Sequence, residues 1–146
     1  MTITNVIDQL MRDEGFRADV YVDTVGKRTV GYGHNLDANP IHALVTPISE
    51  ALATQILGAD VERISRFLVQ SLPWVTTLDD ARLGVLQNMA FNLGVNGLLG
   101  FHRTLADVQA GAYATAASDM KDSKWYNEVG DRAVRLVQQM LSGEWQ

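Results

Sequence analysis

Glu14, Asp23 and Thr29 lie nine and then six residues apart near the start of the chain, and their side chains are of types that could do chemistry together. Cleaving a glycosidic bond needs an acid to protonate the leaving oxygen and a carboxylate to activate water or stabilise the positively charged sugar, so two carboxyls in different surroundings fit the task. A threonine hydroxyl both donates and accepts, and can hold that water in line with the anomeric carbon. With 17 acidic residues in the chain, the pairing by itself fits solvated surface carboxylates equally well. The elements around the three residues must decide whether they meet.

Ile3, Val6, Ile7, Leu10 and Met11 recur at helical spacing, with Thr4 as a cap and Gly15 as a stop, which predicts a helix from about Asn5 to Glu14. Val20-Tyr-Val22 and Arg28-Thr-Val-Gly-Tyr-Gly33 flank the turn-like Asp23-Thr-Val-Gly26-Lys, and their β-branched and aromatic residues predict a small antiparallel sheet. Glu14 then ends a helix, Asp23 sits in a hairpin turn and Thr29 starts the next strand, so all three can face one cleft.

Thr46-Pro47 reads as a cap with proline at the first helical position, opening a helix from Ile48 to Leu57 that pauses at Gly58, resumes at Asp60 and ends before Pro73. Thr77-Leu-Asp-Asp80 resembles a capping box, followed by a buried helix carrying Leu83, Leu86, Ala90 and Leu93 as far as Gly94. Beyond the glycine-rich stretch 94–100, shorter helices are expected over 103–109, 112–121 and 131–141, punctuated by Gly111, Gly130 and Gly143. The fold class is α+β, mostly helical beside one small antiparallel sheet. A single domain over 1–146 is expected, with a β-containing lobe at about 15–58, a helical lobe at about 59–146 and the helix 1–14 packed on the helical lobe.

The net charge of -5 argues against nonspecific binding to nucleic acid or anionic membranes. The absence of cysteine removes disulfides, a thiol nucleophile and a cysteine zinc site. Met1 to Asp13 show no basic stretch leading into an apolar core, so no export signal is expected, and no apolar run approaches membrane-spanning length. His34, His42 and His102 lack acidic partners at metal-ligand spacing. The expectation is no metal, no cofactor, no membrane insertion, no nucleic-acid partner and a monomer.

The wording around the three residues is more specific than their spacing. Met11-Arg-Asp-Glu14-Gly-Phe-Arg17, Tyr21-Val-Asp23-Thr, Gly26 and Thr29-Val-Gly-Tyr-Gly33-His34 resemble the signature of the T-even phage lysozyme family. The likeness continues through Ala59-Asp60-Val-Glu62, Asn88-Met-Ala-Phe91-Asn92-Leu-Gly94, Gly100-Phe101, Ser123-Lys-Trp125-Tyr-Asn127, Arg132-Ala-Val-Arg135 and Gly143-Glu-Trp145, which is essentially the whole chain.

The resemblance implies a lysozyme-like fold with an active-site cleft beside the sheet. It also implies an endolysin that hydrolyses the β-1,4 bond between N-acetylmuramic acid and N-acetylglucosamine of bacterial peptidoglycan and lyses the host. Glu14 would be the general acid, Asp23 the carboxylate that activates water, and Thr29 the residue that positions it, with inversion at the anomeric carbon. Inversion implies carboxyls on the order of 6.5 to 9.5 Å apart.

Arg132 matches an arginine that pairs with the catalytic glutamate in the family. Such a cation favours the ionised carboxylate, so exclusion of water by substrate is expected to restore the proton the acid needs. His34 and Asp60 match a structural ion pair. Phe91, Asn92 and Thr104 match positions lining the cleft, although core packing suits Phe91 equally well, and Trp125 is expected in the core beneath. Asn35 and Asp119 occupy cleft positions too, but are not the residue types expected there, which opens the finer substrate preference.

The segment between His34 and Asp60 is shorter than in the archetype, which implies a trimmed small lobe and a more open cleft. The acidic balance also departs from the archetype's basic character and argues against attack on cells from outside. Localisation in the host cytoplasm until lysis is expected, with release to the wall through a holin or similar membrane lesion. The competing readings are a lytic transglycosylase, which uses one glutamate and leaves an anhydro sugar, a non-catalytic wall-binding or structural module, and an engineered sequence on the same scaffold. Asp23 and Thr29 favour hydrolysis over the first, and the intact trio opposes the second.

Overall fold

The computed structural model of the protein describes residues 2–146; Met1, where the expected domain begins, lies outside them. In chain order come α1 (Val6–Glu14), β1 (Arg17–Val22), β2 (Arg28–Gly31), β3 (His34–Asn35), α2 (Glu50–Ser71), α3 (Asp80–Leu93), α4 (Val95–Leu99), α5 (His102–Gln109), α6 (Tyr113–Lys121), α7 (Lys124–Val129) and α8 (Asp131–Ser142). This is the expected α+β class, many helices beside one small antiparallel sheet. Two compact units are present, one of Ile7–Arg63 and one of the residues up to Val6 with Ile64–Gln146. The division falls inside α2, and α1 from Ile7 onward is in the unit that holds the sheet.

In the unit 7–63, α1 buries Gln9 and Leu10. Gly15, at φ +71°, ends the helix by donating its N–H to the Met11 carbonyl, a left-handed stop that glycine adopts without steric cost. The sheet order is β1-β2-β3. Tyr21 pairs with Thr29 and Val22 with Arg28, while an irregularity separates these from the Arg17–Gly31 pair. On the other side, Thr29 pairs with Asn35 and Val30 with His34. Central β2 therefore buries Thr29, Val30 and Gly31, and outer β1 leaves Val20 and Val22 exposed.

The predicted start of α2 is corrected. The Thr46-Pro47 peptide is cis, and the Ile48 N–H donates to the Ala18 carbonyl at 2.9 Å, so the chain is still committed to β1 where a helix was expected. The cap is Ser49, whose hydroxyl accepts from the Leu52 N–H at 3.1 Å. Nor does Gly58 interrupt the helix, which runs unbroken from Glu50 to Ser71. A helical glycine costs about 1 kcal/mol relative to alanine, and burial of Ala53, Leu57, Asp60, Ile64 and Leu68 along one stripe outweighs that cost.

The other unit holds the large apolar cluster, built around Leu68, Val85, Leu86, Met89, Leu98, Met120, Leu136 and Met140. A short 3-10 turn over Pro73–Thr77 follows α2. The capping residue of α3 is Asp79, which accepts from the Arg82 N–H, rather than Thr77 of the expected box, which belongs to the preceding turn and donates its hydroxyl to the Trp74 carbonyl. Two helices went unpredicted: α4, hidden in the glycine-rich stretch, and α7, opened by the Ser123 cap. At the C-terminus, Gly84 leaves room for Trp145, since a Cβ there would lie 2.3 Å from the indole.

Candidate functional site

Each member of the proposed trio is fixed by backbone of the unit 7–63. Glu14 is the last residue of α1, half-buried, with its carboxyl lying against Gly33. A Cβ at Gly33 would stand 2.6 Å from Glu14 Oε1 and 2.8 Å from its Cδ, and Gly33 has φ +68°. Only glycine satisfies both the backbone angle and the close approach.

Asp23 organises the β1–β2 turn. Its Oδ1 accepts from the Val25 N–H at 3.0 Å and the Lys27 N–H at 2.8 Å, and its own N–H donates to the Lys27 carbonyl at 2.9 Å. This is the local side-chain pairing that favours Asp in turns. Oδ2 makes no hydrogen bond among the described residues. The Thr29 hydroxyl donates to the same Lys27 carbonyl at 2.9 Å, with the residue only 4% exposed. Its hydrogen is thereby engaged, and only its lone pairs remain for a water. Asp23 and Thr29 are thus tied to one residue, and their relative position is set by a few covalent bonds rather than by long-range packing.

Glu14 and Asp23 act on a common neighbour. Burial raises the Tyr21 pKa above its ordinary value; the negative charges of Glu14 and Asp23 add to the rise, and the Arg17 guanidinium partly offsets it.

His34 and Asp60 form the expected pair: Nδ1 lies 2.7 Å from Asp60 Oδ2, and Nε2 lies 2.8 Å from the Asn39 carbonyl. Acceptors on both ring nitrogens suit the doubly protonated imidazolium. Burial opposes that charge, but the hydrogen bond and charge of Asp60, with the Asn39 carbonyl, outweigh it and hold the His34 pKa above its usual value, slightly offset by Arg63. The pair pins β3 to α2. Asn35 is committed to the next turn, its Oδ1 accepting from the N–H groups of Asp37 and Ala38.

Phe91, Asn92, Thr104, Asp119 and Arg132 all fall in the unit 64–146. Phe91 is half-buried against the apolar cluster, and Thr104 is buried on α5. Asn92 is exposed, its Oδ1 accepting from the indole N–H of the buried Trp125 at 2.9 Å. Asp119 pairs with Arg103 at 3.3 Å, and a hydrogen bond to Asp119 raises the Asp107 pKa. Arg132 donates from Nε to the Oδ1 of buried Asn88 at 2.9 Å. Among the described residues, no three His, Asp or Glu side chains converge as metal ligands, and no helix is long and apolar enough to cross a membrane.

Sequence reasoning quoted Gly33 and Tyr21 only as parts of the motif and gave no role to either, nor to the backbone of Lys27. The glycines at 31 and 33, on alternate positions of a strand-like run, were the readable signal for the first. Nothing in residue type singles out Lys27, whose part is played by its N–H and C=O.

The chain matches the family model described as phage lysozyme over residues 11–140. It is similar to the pre-baseplate central spike protein Gp5 of Enterobacteria phage T4, at 29% identity over 160 residues covering 95% of this chain, and spans only 28% of that protein's length. It is also similar to probable T4-type lysozyme 1 of Dictyostelium discoideum, at 27% identity over 168 residues covering 97% of this chain and 96% of that protein. A further similarity is to peptidoglycan hydrolase gp36 of Pseudomonas phage phiKMV, at 26% identity over 132 residues covering 90% of this chain and 14% of that protein. The matched span takes in the carboxylates at 14 and 23, the Lys27 turn and the His34–Asp60 pin, and with it this chain belongs to the phage lysozyme family.

Proposed function

We propose that the protein is a lysozyme that degrades bacterial peptidoglycan by hydrolysing the β-1,4 bond between N-acetylmuramic acid and N-acetylglucosamine. The observation that carries this reading is the joint anchoring of Asp23 and Thr29 on Lys27, in a unit where Glu14 is seated on Gly33. Asp23 Oδ2 and the Thr29 lone pairs are two acceptors. A water donating a hydrogen to each would turn an oxygen lone pair toward the anomeric carbon.

In the reaction, Glu14 gives its proton to the glycosidic oxygen as the bond to the anomeric carbon breaks. The water oxygen bonds that carbon from the opposite face while Asp23 takes a water proton, and exchange with solvent returns both carboxyls to their starting states. The anomeric centre inverts. No cofactor enters this scheme. In this reading the enzyme is a monomer that lyses the host from within, reaching the wall through a holin or comparable membrane lesion.

Purified peptidoglycan digested with wild type and Glu14→Gln provides the test, with reducing ends and anhydro sugars assayed and the newly formed anomer followed by NMR. New reducing ends of inverted configuration, without anhydro sugar, and an inert variant support the reading. Anhydro products indicate a transglycosylase, a retained anomer removes the water-activating role of Asp23, and no cleavage by wild type indicates a binding module.

A further inference from the structure

Tyr21 has no part in the scheme above. It stands opposite Thr29 in the β1–β2 ladder, and opposed residues of an antiparallel pair project to the same face. Asp23 lies two positions further on, in the turn that follows β1. The ring of Tyr21 is held, because the Arg17 guanidinium carbon lies 4.3 Å from its centroid in a cation–π stack. Its hydroxyl is not held: no group among the described residues hydrogen-bonds it. A half-buried tyrosine ordinarily finds a partner for its O–H. Here the donor is left open on the face that carries Thr29.

We infer that Tyr21 is a substrate contact, its ring fixed by Arg17 and its O–H donating to a hydroxyl or acetamido oxygen of an N-acetylated sugar. The inference rests on the reading of the chain as a glycan hydrolase. Burial and the nearby carboxylates keep the phenol protonated through the neutral range, so the donor is present whenever the enzyme works.

Tyr21→Phe keeps the ring and the Arg17 stack and removes only the donor. In a Glu14→Gln background, which binds without turnover, titration calorimetry with a tetramer of N-acetylglucosamine is expected to show a dissociation constant about three- to tenfold weaker when Tyr21→Phe is added, the loss of one neutral hydrogen bond. In the otherwise native enzyme, Tyr21→Phe lowers kcat/KM on peptidoglycan by the same factor, with the melting temperature unchanged. Arg17→Gln, which frees the ring but keeps the O–H, gives a smaller loss. If the tetramer binds too weakly to measure, kcat/KM decides alone.

Tyr21→Phe that binds and turns over like its parent overturns the contact while leaving hydrolysis intact. Weaker tetramer binding in a protein that opens no glycan bond keeps the contact and removes the hydrolytic reading.

Discussion

The two units of the molecule are held together by different physics. In Ile64–Gln146 the interior is one apolar cluster assembled from many helices, with Asn88, Thr104 and Gln139 as buried polar residues. In Ile7–Arg63 the buried apolar residues are few, and Gln9, Thr29, His34 and Asp60 are buried among them. There, order comes from directional contacts: the Asp23 turn, the Arg28–Asp37 pair at 2.7 Å, and the His34–Asp60 pin. Hydrophobic burial is nondirectional and tolerates repacking, whereas hydrogen bonds fix angles. The lesson is that the unit built from directional bonds is the one that carries the carboxylate pair.

If this division is right, mutations should separate into those that stop chemistry and those that melt the fold. Glu14→Gln is expected to lower the rate of peptidoglycan cleavage by about a thousandfold, within the range for removing a general acid, with an unchanged unfolding midpoint. A large loss of stability in that variant would break the comparison. Leu86→Ala, in the apolar cluster, is expected to cost about 2–5 kcal/mol in chemical denaturation while the folded fraction keeps its specific activity. Gly33→Ala sharpens the contrast by placing a methyl on the Glu14 carboxyl. It should cost activity roughly tenfold to a hundredfold, the scale of a 1 Å misplacement, and about 1–2 kcal/mol of backbone strain.

The His34–Asp60 pin gives a pH signature. Its folded pKa is raised, so its stabilisation is fully present below the unfolded histidine value of about 6.5 and is lost as pH rises through the folded value. Melting temperature against pH should therefore fall across that window in wild type, and the fall should flatten in Asp60→Asn. The smallest effect is expected at Val25, an exposed turn residue: Val25→Thr should change stability by less than about 0.5 kcal/mol, and a larger change would mean that the turn depends on more than the Asp23 carboxylate.

How legible this was in the sequence differs by element. The end of α1 at Glu14, the hairpin with Asp23 at its turn, and the stops at Gly94, Gly111, Gly130 and Gly143 were all readable, because each is governed by neighbours within a few residues. The helix start near Pro47 was misread because a long-range hydrogen bond from Ile48 to Ala18 keeps that stretch extended. The break at Gly58 was misread because burial along α2 overrides local propensity. At the site, the identities of Glu14, Asp23 and Thr29 came from residue type, spacing and the surrounding motif, but their anchors did not.

The sequence by itself determined the class of the fold, the family and the residues able to do acid–base chemistry, because periodicity, turn chemistry and motif wording are local properties of the chain. Only the tertiary structure decided that Gly33 must make room for the Glu14 carboxyl and that the Tyr21 hydroxyl has no hydrogen-bond partner among the described residues. Those depend on which atoms approach within about 3 Å across strands and turns, the hydrogen-bonding range, a distance that spacing along the chain does not encode.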